Sequence, residues 1–131
     1  MMQVAAVAGA VLLAGVAVFQ IALAAGAPLG DMAYGGRAET RNGILTAPYR
    51  IMSALAVLIL GVAAWIVLAR ADVVSGGPMG AGFVETGAWV VFGYLVLNTA
   101  ANLASTSKNE RLIMGPVTAI AAVLVLIAAL G

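Results

Sequence analysis

Tyr94, Asn98, Asn102 and Ser105 follow one another at spacings of four, four and three inside an apolar run, which stacks their polar groups on one helix face. Amides and hydroxyls in such a stripe can hold a ligand by hydrogen bonds or tie one helix to another. Gln20, in a second apolar run, is the natural counterpart at similar depth, with Ser53 and Thr118 nearby on two further runs. An unsatisfied amide in hydrocarbon costs several kcal/mol, so this face is expected to turn inward. Two readings stay open. The groups are structural glue that fixes helix register, since interhelical hydrogen bonds return ~0.6 kcal/mol on average. Alternatively Gln20, Ser53, Asn98 and Asn102 line a polar cavity, a reading favoured by the nearly apolar far half of each run.

Arg50 and Arg111 stand at the mouths of two runs, where guanidinium groups could clamp a phosphate or carboxylate over the stripe. The simpler alternative is that Arg37, Arg41, Arg50, Lys108 and Arg111 set topology and attract anionic headgroups, at ~1 kcal/mol each. Gly35-Gly36-Arg37 could add backbone amides but lacks the spacing and Lys of a P-loop. The candidate ligand-binding set is therefore Gln20, Ser53, Asn98, Asn102, Arg50 and Arg111. The chain has no His and no Cys. That excludes imidazole and thiolate metal sites, thiol nucleophiles and disulfides, and no metal or cofactor is expected. Asp31, Glu39, Asp72, Glu85 and Glu110 all fall in loops or at helix ends, with no diagnostic spacing. A proton-coupled antiporter would need an intramembrane carboxylate, so coupled transport has no residue to carry it, and the reading leans away from an enzyme.

The elements that must position these residues are four hydrophobic segments, residues 3–25, 49–69, 87–105 and 112–130, free of Asp, Glu, Lys and Arg except for Arg50 at the start of the second. Each approaches or reaches the ~20 apolar residues that cross a bilayer. With 64% hydrophobic and 8% charged residues, lipid must be the solvent. The expected fold is an all-α integral membrane bundle of four transmembrane helices in a single domain over residues 1–131. A net charge of +1 gives no field for nucleic acid. Arg37, Arg41, Arg50, Lys108 and Arg111 lie in or beside the first and third connections, against Arg70 alone on the other side. The positive-inside rule then predicts those connections in the cytoplasm, both termini outside, and Trp65 and Trp89 in the outer interfacial belt. Met1-Met2-Gln3 carries no basic n-region, so the first segment is expected to be retained.

The first connection, roughly Gly26 to Pro48, is long for a bundle, where links run about 2–8 residues, and is expected to have structure of its own. Asn42-Gly43 signals a turn, and Thr46 with Pro48 suits the start of the second helix. Ser107 and Glu110 fit a capping box at the fourth helix, with Pro116 near its first turn and able to open a kink. Ala6, Ala10, Ala14, Gly61 and Gly115 are read as small residues for close helix packing. A weak internal echo aligns residues 15–22 with 93–100, and residues 50–53 with 111–115 at an offset of one, as a two-plus-two parallel repeat would.

Gln20…Gly26-Ala27-Pro28-Leu29-Gly30…Gly35-Gly36, Arg50-x-x-Ser53 and Asn102-x-x-Ser105-x-Ser107-x-x-Glu110-Arg111 extend over most of the chain. In this pattern the chain resembles a group of small bacterial four-helix integral membrane proteins without a known activity. That resemblance implies a multi-pass protein of the bacterial cytoplasmic membrane and carries over no chemistry. Helix number is similar to that of DoxX-like proteins, by analogy of architecture alone. The expected role is binding or uncoupled transport of a small amphiphile or anionic lipid headgroup in a cytoplasm-facing polar cavity. The alternative is a structural or accessory subunit packing against another membrane protein. Expected partners are membrane lipids and either a second copy or another membrane protein.

Overall fold

A computed structural model of the chain describes residues 2–131. Four helices carry it: α1 (Met2–Ala25), α2 (Ala47–Arg70), α3 (Ala81–Leu103) and α4 (Gly115–Leu130), the last entered through a π-turn over Glu110–Met114. With that turn counted into α4, all four are long and apolar enough to cross a membrane, the shortest having 21 residues. At 1.5 Å rise per residue such a helix covers about 30 Å, the thickness of the hydrocarbon core. The architecture is the expected all-α one of a multi-pass membrane protein.

The helices pack in a ring. α1 lies along both α2 and α4, and α3 lies along α4, while α2 meets α3 over a much smaller surface. The core between them is built from small and medium side chains: Ala6, Ala63, Ala121, Ala122 and Ala128 alternate with Leu13, Leu60, Val67, Leu95 and Val125. Lipid is as apolar as this core, so burial supplies little drive, and close backbone approach at alanines supplies the dispersion contacts instead. Ala6 and Ala10 are buried as expected, whereas Ala14 is exposed. Gly115 is a close approach, with its Cβ position 2.8 Å from Leu103 Cδ2, but Gly61 has open space and packs against nothing in the fold.

Helix bounds follow the apolar runs with two informative departures. α3 starts at Ala81 rather than Gly87, because Glu85 is exposed and the helix extends beyond the uninterrupted apolar stretch. The fourth span opens with a π-turn in which the Gly115 amide bonds the Glu110 carbonyl. Pro116 explains it: proline has no N–H and its ring collides with the carbonyl four residues back, here Leu112, so the preceding turn widens.

The first connection is structured. It holds two 3₁₀ turns, Gly30–Met32 and Tyr34–Gly36, followed by a hairpin of β1 (Thr40–Arg41) and β2 (Ile44–Leu45) paired antiparallel. Asn42 and Gly43 join the strands with φ of 54° and 81°, the two positive values that a type I′ turn demands. Leu23, Ala33 and Leu45 are buried together beneath it, flanked by Phe19, Tyr34 and Tyr49. This satellite core fastens the connection over the end of α1. Thr46 stands at the N-cap of α2 without a side-chain cap bond, and Pro48 occupies the first turn.

Candidate functional site

The first connection forms a lid over the end of the bundle. It is latched to the connection between α3 and α4, where the Thr106 amide and hydroxyl both donate to the Gly35 carbonyl, at 3.0 and 2.9 Å. Gly36 makes that contact possible: its φ is +71°, and a Cβ there would meet Thr106 Oγ1 at 2.7 Å and the Ser107 nitrogen at 2.9 Å.

Beneath the lid lies a cavity of about 360 Å³. Phe19 and Gln20 of α1, Ile59 of α2 and Tyr94, Asn98 and Asn102 of α3 form its walls, Met32, Tyr34 and Gly35 its roof. Glu110 and Thr118 complete it from the fourth span. Three of the candidate residues, Gln20, Asn98 and Asn102, are thus brought together.

They do not have equal work. The Asn98 amide donates to the Tyr94 carbonyl of its own helix at 3.2 Å. Asn102 donates across to α4, to the Thr118 hydroxyl at 3.2 Å and the Met114 carbonyl at 3.4 Å. Thr118 also accepts from Thr99 at 3.0 Å and donates to Met114 at 2.9 Å. Asn102 therefore serves as interhelical glue as well as cavity wall. Gln20 differs, because its Oε1 is buried without a hydrogen-bond partner.

Ser53, Arg50 and Arg111 stand apart from the cavity. Ser53 is fully buried, and its hydroxyl meets the Tyr34 hydroxyl at 2.9 Å. It positions Tyr34, which holds a φ of 54° and sets its ring 5.2 Å from Tyr49. Arg50 Nε donates to the Ala24 carbonyl at 3.0 Å, and Arg111 Nη1 to the Ser105 carbonyl at 2.8 Å. Arg50 thus satisfies an orphan carbonyl in the last turn of α1 and complements its negative dipole end, whereas Arg111 bonds a carbonyl two residues beyond α3. Neither arginine is among the residues that line the cavity.

Glu110 is the residue whose role in the cavity sequence reasoning missed. Half of the capping box exists, since the Glu110 amide donates to Ser107 Oγ at 3.3 Å. The reciprocal half does not. The Ser107 amide donates instead to Ser105 Oγ at 3.0 Å, and the Glu110 carboxylate turns into the cavity wall. Glu110 is only 3% exposed; its carboxylate has the Ser105 hydroxyl and Gly35 amide as partners, yet Oε1 has none. The sequence signal was the serine-rich Ser105-x-Ser107-x-x-Glu110 stretch beside a long, glycine-rich connection, which was open to either use.

Chemically, the cavity offers two buried acceptor oxygens in search of donors, Gln20 Oε1 and Glu110 Oε1, and no Lys or Arg among its lining residues. Among the described residues no three His, Cys, Asp or Glu side chains gather as a metal site requires. Comparison with protein-family models, curated proteins and solved structures returns no match to this chain. The site must accordingly be read from its own geometry.

Proposed function

We propose that this protein is a membrane binding module that holds the polar head of a small amphiphile in the lidded cavity. The observation that carries the reading is the pair of buried, unpartnered acceptors facing about 360 Å³ of space. Leaving such groups unpaired costs roughly 1–3 kcal/mol each, more for a charged one, and a ligand with N–H or O–H donors removes that cost. A ligand of this kind fits better than an anionic headgroup, because the cavity lining holds the buried Glu110 and no Lys or Arg. Transport, where it occurs, is uncoupled in this reading, as no ion-binding cluster is found among the described residues.

The proposal includes a bacterial cytoplasmic membrane, with the lid and both termini on opposite sides and the lid in the cytoplasm, following the distribution of Arg and Lys. A native chain without Cys makes single-cysteine labelling a clean test of that orientation. A second reading, an accessory subunit, draws on Gly15, Gly61 and Gly93, whose Cβ positions meet nothing and leave room for a partner helix.

Gln20→Leu and Asn98→Leu test the site. Thermal unfolding is compared with and without lipid extract from the native membrane. A stabilisation by extract that both variants lose supports the binding reading, and unchanged behaviour in both leaves the polar groups as helix glue.

A further inference from the structure

The weak seam of the helix ring is where α2 and α3 face each other. An apolar groove of about 560 Å³ lies there, lined by Leu58, Val62 and Ile66 of α2 and by Phe83, Val90 and Val91 of α3. It is not a separate feature from the cavity: Ile59 and Tyr94 line both. From Phe83 to Tyr94 the groove follows α3 for about 16 Å at the helical rise. A polar chamber with unpartnered acceptors therefore continues, past one Ile and one Tyr, into a lipid-facing apolar slot long enough for a hydrocarbon tail.

We infer that the ligand is a single-chain amphiphile with an amine-bearing head, entering sideways between α2 and α3, its head at Gln20 and Glu110 and its tail in the groove. This rests on the cavity being a binding site and specifies what it takes. Two features select the head. Both buried unpartnered atoms are acceptors, which favours a head that donates, and one of them belongs to a buried carboxylate, which favours a cationic N–H donor over a hydroxyl. The continuity of the two spaces selects the tail. A lid latched to Thr106 and anchored by Tyr34 to Ser53 covers the end of the bundle, and the α2–α3 seam offers a way in from the lipid. The Tyr94 ring at the junction marks the boundary between head and tail.

The test uses the full chain in phosphatidylcholine nanodiscs with two probes of equal length, dodecylamine and 1-dodecanol, bound stoichiometry being read by native mass spectrometry. Wild type should bind dodecylamine on the order of tenfold or more tighter than dodecanol, the size expected of a hydrogen bond to a charged group. Glu110→Gln should remove that preference. Val62→Trp with Val90→Trp should fill the groove and weaken dodecylamine at least tenfold; both positions are lipid-facing, at 50% and 64% exposed, so the fold has room for them. If the double tryptophan variant unfolds, Val62→Phe with Val90→Phe takes its place. Undiminished binding in the groove-filled protein overturns the tail assignment, hands the groove to a neighbouring protein helix and leaves the cavity reading standing. A preference for amine that survives Glu110→Gln, or no preference in wild type, overturns the head assignment. Binding of neither probe by wild type overturns the amphiphile inference, and the cavity reading is then judged separately, by native-membrane extract with Gln20→Leu.

Discussion

Gly36→Ala should unlatch the lid, and Gly35→Ala, one residue earlier, should do so far less. Both glycines hold left-handed backbone, at φ of +72° for Gly35 and +71° for Gly36. An L side chain in that region costs roughly 1–2 kcal/mol at either position. Their surroundings differ, however. A Cβ on Gly35 meets nothing within 4 Å, whereas one on Gly36 would sit 2.7 Å from Thr106 Oγ1 and 2.9 Å from the Ser107 backbone nitrogen. A backbone atom cannot swing aside as a side-chain end can, so overpacking adds about 1–3 kcal/mol at Gly36 alone. The totals are about 1–2 kcal/mol for Gly35→Ala and about 2–5 kcal/mol for Gly36→Ala. Hydrogen exchange at the Thr106 amide, which donates to the Gly35 carbonyl, reads the latch directly. At about 1.4 kcal/mol per factor of ten, Gly35→Ala should speed exchange about tenfold and Gly36→Ala by a further tenfold or more. Amides within the helical core should change much less, because the lid rests on its own small cluster around Leu23, Ala33 and Leu45. Equal acceleration in the two variants would refute the close approach, and no acceleration in either would refute the latch.

Ser53→Ala should cost about 1 kcal/mol and loosen the lid, since it leaves the Tyr34 hydroxyl with only the long 3.4 Å contact to the Tyr49 carbonyl; faster exchange at the Tyr34–Gly36 amides with the helices intact would bear this out. Arg50→Gln should destabilise by about 1 kcal/mol through the lost charge at the end of α1, without weakening ligand binding, as an SDS titration paired with a binding assay would show. Loss of binding in that variant would return Arg50 to the site.

Much of this architecture was legible because a transmembrane helix announces itself by composition alone: four apolar runs, charged only at Arg50 near the start of the second, gave four helices in the observed order. The start of α3 was not, since Glu85 breaks the apolar run without breaking the helix. The i, i+4 stripe grouped Tyr94, Asn98 and Asn102, and depth matching added Gln20; the four line one cavity. Spacing within one helix could not say which neighbour each group would meet. That is why Ser53 is found against Tyr34, Arg50 on the last turn of α1 and Arg111 on the Ser105 carbonyl. Glu110 was obscured by its own plausibility as a capping residue, and the π-turn ahead of Pro116 puts its carboxylate where an ordinary cap would not. The length of the first connection implied structure, but its role as a lid depends on the Gly35–Thr106 contact, between residues 71 apart in the chain.

The most direct test of the central claim, that the lidded cavity holds a ligand, is native mass spectrometry of the protein released gently from its own membrane, with Asn98→Leu as the comparison. A stoichiometric small-molecule adduct on the wild-type chain that the variant lacks is the predicted result. A bare chain, or an adduct that survives unchanged in Asn98→Leu, would contradict it.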